Sequence, residues 1–316
     1  MVKVLVLSAT GKQGGATARA LLSSAAQKHS VRVLVRDASS EKAKALAAAG
    51  AEVLQGGSYE SDVEALDRAM AGVEAVFFVS LPSFKDDTAE VRGATNIVEA
   101  AKRAGTVRHV VYSTVAGQDY YEELEGWDKN EFLPKYFAWK AKGEELVKTG
   151  GFDHYTILRP TEFMSNYTTL ASVSMQYPTF IQTGVLSTAL PETFPMCAID
   201  DDDIGRTAAA SIEAPDTFAG GKSRELMLIG EVVILKDLVA QLGEAIGKKL
   251  SIHTYPREEA LELAKTNSMI GGQLVRVNWK YRVEEANDFG IGFRSWRDHV
   301  QANLERVKEL YKDVPQ

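Results

Sequence analysis

The chain has 316 residues, of which 45% are hydrophobic and 25% charged, with a formal net charge of −7. That apolar fraction can bury a sizeable core in one large or two modest units, which excludes a disordered chain. The acidic balance, without any long basic run, speaks against general attraction to nucleic acid or to an anionic membrane, so neither is expected as a partner.

The first apolar run, over 2–7, stops at Ser8-Ala9-Thr10-Gly11-Lys12-Gln13-Gly14-Gly15 and opens into an alanine-rich helical pattern. A strand that gives way to a helix in this manner sets free N–H groups and the positive end of a helix dipole at the strand end, where they attract phosphate. Gly11, Gly14 and Gly15 let backbone approach a pyrophosphate and let the helix pack on the strand; a branched side chain at Gly14 is expected to block the nucleotide and spare the fold. The usual first glycine of such a turn is here Ser8. The second strand pattern, over 31–35, ends in Arg36, 22 residues after Gly14. An acidic residue there would hold a free ribose 2′-hydroxyl, whereas a guanidinium suits a 2′-phosphate and stacks on adenine, so NADP(H) is expected over NAD(H). The alternative is a surface arginine paired with Asp37. Ser39, Ser40 and Lys42 follow as further phosphate donors.

Apolar runs recur over 51–54, 74–79, 108–113 and 154–158, with helical patterns over 41–49, 62–70 and 88–104 between them. Alternation of this kind predicts an α/β fold, a doubly wound parallel Rossmann sheet, with ligands at the carboxyl ends of its strands. Val79-Ser80-Leu81-Pro82 and Ser113-Thr114-Val115-Ala116 end the fourth and fifth strands and are expected to line the nicotinamide side. The loop over 119–128, acidic and aromatic, reads either as a lid or as a solvated loop, and Trp127 within it is a pocket candidate. Tyr136 and Lys140 are four apart, on one face of the next helix. After Pro160 the rhythm breaks. The irregular stretch over 161–199 predicts an insertion that forms pocket walls, a helix resumes at Asp203, and two helices over 233–246 and 295–312 flank a strand over 250–255. The expected division is 1–160 with 200–230 for the nucleotide unit, and 161–199 with 231–316 for a smaller α+β substrate unit.

The run Asp200-Asp201-Asp202-Asp203 stands before a helical pattern, where carboxylates accept orphan N–H groups, so it reads as a cap and not as a cation site. The five histidines show neither metal-ligand nor Ser-His-Asp spacing, and no metal is expected. Cys197 is the only cysteine. With no intrachain disulfide to form, no secretory segment and no span, the expected compartment is the cytoplasm.

In Ala9-Thr10-Gly11-Lys12-Gln13-Gly14-Gly15, Leu34-Val35-Arg36-Asp37, Leu158-Arg159-Pro160 with Phe163-Met164-Ser165-Asn166, and Asp203-Ile204-Gly205, nearly the whole chain resembles the NmrA-like family of atypical short-chain dehydrogenases. The resemblance implies a Rossmann unit, a smaller and mostly C-terminal unit, and NADP(H) in the cleft between them. It assigns Thr10, Gly11, Gln13 and Gly14 to the pyrophosphate, Arg36 to the 2′-phosphate, and Phe163, Met164 and Tyr167 to the substrate pocket. Gly57 stands where the family often has an acidic residue facing adenine. The Tyr136 and Lys140 spacing matches Tyr-x-x-x-Lys of catalytic short-chain dehydrogenases. There the lysine lowers the phenol pKa and holds the nicotinamide ribose, the tyrosine gives a proton, and a fifth-strand serine, here Ser113 or its neighbour Thr114, orients the substrate. The family holds both reductases and redox-sensing transcriptional regulators without catalysis. Three functions follow: an NADPH-dependent reductase of a small carbonyl, imine or quinone-like substrate; an NADP(H) sensor acting through a protein partner; or a non-redox cyclase or isomerase that keeps NADP as part of its pocket.

Overall fold

The computed structural model describes residues 2–315 apart from 26–28, 81, 82, 84, 124–126, 128–131, 219–222 and 287. Six of the apolar runs form strands: β1 (Lys3–Leu7), β2 (Ser30–Val35), β3 (Glu52–Gln55), β4 (Ala75–Val79), β5 (His109–Ser113) and β6 (His154–Pro160). After them come β7 (Glu162–Phe163), β8 (Val185–Thr188), β9 (Pro195–Ile199), β10 (Ser223–Leu228), β11 (Glu231–Ile234) and β12 (Ser251–Thr254). The main sheet has seven strands in the order β10-β6-β5-β4-β1-β2-β3, and every pairing in it is parallel. The order reverses between β1 and β4, which opens a crevice beyond their carboxyl ends. β10 lies outside the six expected strands. It is an edge strand whose first three residues are Ser223, Arg224 and Glu225, so it lacks the continuous apolar run of a strand buried on both faces.

The helices are α1 (Lys12–Ser23), α2 (Glu41–Ala48), α3 (Val63–Met70), α4 (Ala89–Ala104), α5 (Leu133–Lys148), α6 (Leu170–Gln176), α7 (Phe180–Thr183), α8 (Asp201–Glu213), α9 (Pro215–Phe218), α10 (Leu235–Ile246), α11 (Arg257–Ala264), α12 (Ser268–Arg276), α13 (Trp296–Ala302) and α14 (Leu304–Leu310). Side chains alternate across β1 with the period of a strand. Val4 and Val6 face α1 and α8 through Leu21, Ile204 and Ile212, while Leu5 and Leu7 face α3, α4 and α5 through Leu66, Ile97 and Val147. Helix α8 lies directly on α1 because Gly205 has no side chain; a Cβ there would stand 2.6 Å from the Thr17 amide nitrogen.

A second core gathers Met164, Tyr167, Val173 and Phe180 with Leu186, Met196, Leu238, Leu242, Trp296 and Tyr311. It carries two small sheets, β11-β9-β7 and β12-β8. The helix expected over 233–246 begins at Leu235, because 231–234 pairs as β11 with β9. The helix expected over 295–312 is broken at Asn303, whose φ is −116° and whose amide donates to the His299 carbonyl at 2.8 Å. Both α11 and α12 fall in sequence left unassigned.

The aspartates at the start of α8 join the two cores. Asp200 caps the helix through the Asp202 N–H at 2.8 Å, and its other oxygen accepts from His299 Nδ1 at 2.9 Å and from Arg294 at 3.1 Å. Asp203 accepts the Arg294 N–H at 2.7 Å and pairs with Arg206. No cluster of metal-ligating side chains occurs among the described residues, and among them no helix is long and apolar enough to cross a membrane.

Candidate functional site

The turn after β1 takes its shape from Ser8. This residue adopts a left-handed conformation, φ 54°, the region a glycine would enter freely. Its carbonyl accepts the Gly11 N–H at 2.8 Å, and its own N–H donates to the Tyr59 hydroxyl at 2.7 Å. Helix α1 then starts with Gly11 as its cap, without a side-chain cap and without an acid in its first turn. Its leading N–H groups are therefore left for an anion. Gly14 is a packing requirement as well: a Cβ there would stand 2.5 Å from the carbonyl oxygens of Leu7 and Ser8. The expectation that a larger residue at Gly14 spares the fold is thus corrected, since that side chain would strike backbone. Lys42 reaches the turn, with Nζ 3.1 Å from the Thr10 carbonyl, and Gln13, nearly buried, accepts the Ser113 hydroxyl at 2.5 Å.

At the adenosine side Arg36 is exposed at the end of β2. Asp37 does not neutralise it. The Asp37 carboxylate accepts both the N–H and the hydroxyl of Ser39, at 2.8 and 2.6 Å, and these bonds hold it below its ordinary pKa. Gly57 has a carboxylate beside it after all, for its N–H donates to Asp62 at 2.6 Å, and Asp62 also caps α3. An uncapped helix start, an exposed guanidinium and a glycine-lined approach fit a dinucleotide with a 2′-phosphate.

The far end of the crevice is built by β4, β5, α4 and α5. Lys140 is buried, with Nζ 2.7 Å from both the Ser80 carbonyl and Glu90 Oε1. The Ser80 hydroxyl, expected at the cofactor, turns instead to Glu90 at 2.8 Å and meets the Tyr112 hydroxyl at 2.5 Å. Burial draws the Lys140 ammonium below its usual range, against the Glu90 carboxylate that holds its proton on. Tyr136 lies one turn earlier on α5, its ring centre 5.5 Å from Lys140 Nζ. Burial, then the nearby Glu90 carboxylate and the Tyr281 phenol, keep its hydroxyl well above the ordinary phenol value. Ser113 is fully buried on Gln13, and Thr114 donates to Glu144 at 2.9 Å, so both hydroxyls have protein partners. Leu81 and Pro82 lie outside the described residues.

Of the pocket candidates, Phe163 is half-buried beside the glycine turn, its ring centre 6.0 Å from Lys12 Nζ. Trp127 meets Tyr121 edge-on at 5.2 Å, and Tyr121 stacks on Phe137 of α5 at 4.4 Å. Leu124, Glu125, Gly126 and Asp128 of the same loop lie outside the described residues. Met164 and Tyr167, by contrast, are fully buried in the second core, with Tyr167 packed edge-on against Trp296. These two pack the interior and do not line a cleft. The sequence reading also omitted Glu90, which resembles any acid in the first turn of a helix, and Lys12, whose Nζ crosses to the Ser172 hydroxyl at 2.7 Å. A Thr168, His299 and Asp200 relay forms too, with His299 Nε2 2.8 Å from Thr168 Oγ1. All three residues are at most 2% exposed, so it is a tie between cores and no nucleophilic site.

Comparison with known proteins agrees with this architecture. The model of the NmrA-like family matches residues 2–286. A (4-alkanoyl-5-oxo-2,5-dihydrofuran-3-yl)methyl phosphate reductase of Streptomyces griseus is 30% identical over 249 residues, 78% of this chain and 75% of its own. An NmrA-like family domain-containing oxidoreductase of Malbranchea aurantiaca is 28% identical over 264 residues, 78% of this chain and 73% of its own. Among solved structures, the triphenylmethane reductase of Citrobacter sp. complexed with NADP(H) has a TM-score of 0.69 at 22% identity, with 96% of this chain and 100% of that one covered. NmrA, a negative transcriptional regulator, in complex with NADP, has a TM-score of 0.72 at 20% identity, covering 98% of this chain and 97% of its own. With the glycine turn, the switch point between β1 and β4 and a family match over most of its length, the chain belongs to the NmrA-like family.

Proposed function

We propose that this protein is an NADPH-dependent reductase of a small organic molecule bearing a carbonyl, imine or quinone-like group. The observation that carries the reading is the placement of Lys140 and Tyr136 one turn apart on α5, with Nζ 5.5 Å from the Tyr136 ring centre and anchored at the end of β4. NADPH, along the glycine turn with its 2′-phosphate at Arg36, supplies the hydride. Tyr136 is held protonated, the form in which a phenol gives a proton, and the Lys140 cation lies over its ring face, 5.5 Å from the ring centre. Phe163 and Trp127 supply apolar contact for the substrate. Relatives named as reductase and oxidoreductase support this reading.

A sensor acting through a protein partner is the second reading, and it is favoured by Ser113, whose hydroxyl serves Gln13 and is not offered to a substrate. NADPH consumption at saturating cofactor, against ketones, quinones and imines, separates the two. The reductase reading expects an active wild type and a Tyr136→Phe variant that keeps NADPH affinity and loses about 10²- to 10⁴-fold in turnover. An active wild type matched by an equally active Tyr136→Phe removes Tyr136 as the acid. A wild type that binds NADPH, reduces nothing in the panel and retains a protein partner in a pull-down favours the sensor.

A further inference from the structure

Lys140 carries a cation into a largely dehydrated place at the end of the crevice: its side chain is 3% exposed and that of Glu90 is 1%. An ammonium in such a place loses its hydration, and without a partner it sheds its proton. Two of its three N–H donors are occupied, by Glu90 Oε1 and by the Ser80 carbonyl, both at 2.7 Å. The Glu90 carboxylate is itself fixed. The Ser80 hydroxyl donates to the same Oε1 at 2.8 Å, which makes Tyr112 the donor of the 2.5 Å bond to Ser80. Strands β4 and β5 thus orient an acid from α4 toward a base from α5. Helix α5 comes this close because Gly143 leaves room for the Tyr112 phenol.

Other groups facing Lys140 do not replace Glu90. Tyr136 presents a ring face and a protonated hydroxyl. Glu144 acts on Lys140 from within α5, but it is bonded to Arg159 at 2.7 Å and to Thr114 at 2.9 Å. Glu90 Oε2 is buried and has no hydrogen-bond partner, so the acid makes all its bonds through the oxygen that Lys140 shares. We propose that Glu90 is the positioning residue of the site: it keeps Lys140 charged across the neutral range and leaves it one N–H for a ribose hydroxyl of the dinucleotide. This rests on reading Lys140 as a dinucleotide contact, as proposed above.

Calorimetric titration of the full chain with NADPH, from about pH 6.5 to pH 9, tests the proposal. The wild-type affinity is expected to stay flat. Glu90→Gln preserves shape and removes the charge, so its affinity is expected to match wild type at the acid end and to fall about tenfold toward the alkaline end, the loss of one charge-assisted hydrogen bond. Glu90→Asp is expected to restore the flat profile. A Glu90→Gln profile parallel to wild type overturns the proposal. Should that variant fail to fold, the Cε resonance of Lys140 in wild type labelled at lysine, assigned by its loss in Lys140→Met, decides: an ammonium signal that persists to about pH 9 supports the proposal, and titration below that overturns it. If Lys140→Met leaves NADPH affinity unchanged, it is the dinucleotide reading that fails, and the Lys140 resonance compared between wild type and Glu90→Gln still reports whether Glu90 holds the charge.

Discussion

In the proposed reading, Arg36 is the side chain that decides which dinucleotide is taken. Its neighbour Asp37 is bound to Ser39 and leaves the guanidinium available. Arg36→Ala is expected to lower NADP(H) affinity roughly ten- to a hundredfold, about 1.5 to 3 kcal/mol, with NAD(H) little changed. Titration of wild type and variant with both nucleotides checks this, and equal wild-type affinities would remove Arg36 from the phosphate. The residues that touch the dinucleotide in this reading were legible because their chemistry is local: a glycine turn, a guanidinium at a strand end, a phenol and an ammonium one helical turn apart. Glu90 was not, since its partner comes from another helix and nothing near it in sequence marks it. Met164 and Tyr167 were misread for a related reason. Apolar residues just past a strand look the same whether they wall a cleft or fill a core, and only the fold places them at zero exposure.

Between elements, one close approach near the site is that of β1 to α1. Gly14 faces two carbonyl oxygens at 2.5 Å from where a Cβ would be, so Gly14→Ala must push the helix off the strand. The expected cost is about 1 to 3 kcal/mol of stability together with weaker nucleotide binding, since the displaced helix carries the uncapped N–H groups proposed to hold the phosphate. Denaturant unfolding with and without NADPH measures both effects, and a wild-type midpoint with wild-type binding would show that the turn absorbs a methyl group without moving. Strands β1 and β4 were legible as elements because burial on both faces demands unbroken apolar runs. The strand expected over 250–255 is β12, whereas the edge strand β10 escaped, as did β7, with two residues, and β8, with four. Segments that brief carry no period.

Across the whole molecule, buried titratable groups make the fold sensitive to acid. Burial, with His154 beside it, pushes His109 down to about 3, so the folded protein keeps it neutral. The unfolded chain takes up that proton near pH 6.5, so stability from this group is full above that value and falls as the pH drops toward 3. Asp200 is resisted by its own burial, yet His299, the Asp202 amide and Arg294 bring it down to about 2, so its contribution is lost only below the ordinary carboxylate range. Wild type is expected to lose about 2 kcal/mol by about pH 5 through His109 alone. His109→Gln, which can keep the bond to Thr156, is expected to flatten that part of the profile. Thermal unfolding across the range checks it, and identical profiles would place the acid sensitivity elsewhere.

The turn at Ser8 has a consequence for how such a motif is inherited. The phenol that receives the Ser8 N–H belongs to Tyr59, 51 residues further along. The phosphate turn is therefore not a portable cassette: grafting residues 4–15 into another sheet would carry the glycines and the helix start but not the support that lets a serine occupy a glycine's conformation. Drift at the two positions should be coupled, with serine tolerated at 8 only while an acceptor stands at 59, and glycine at 8 releasing 59 to vary.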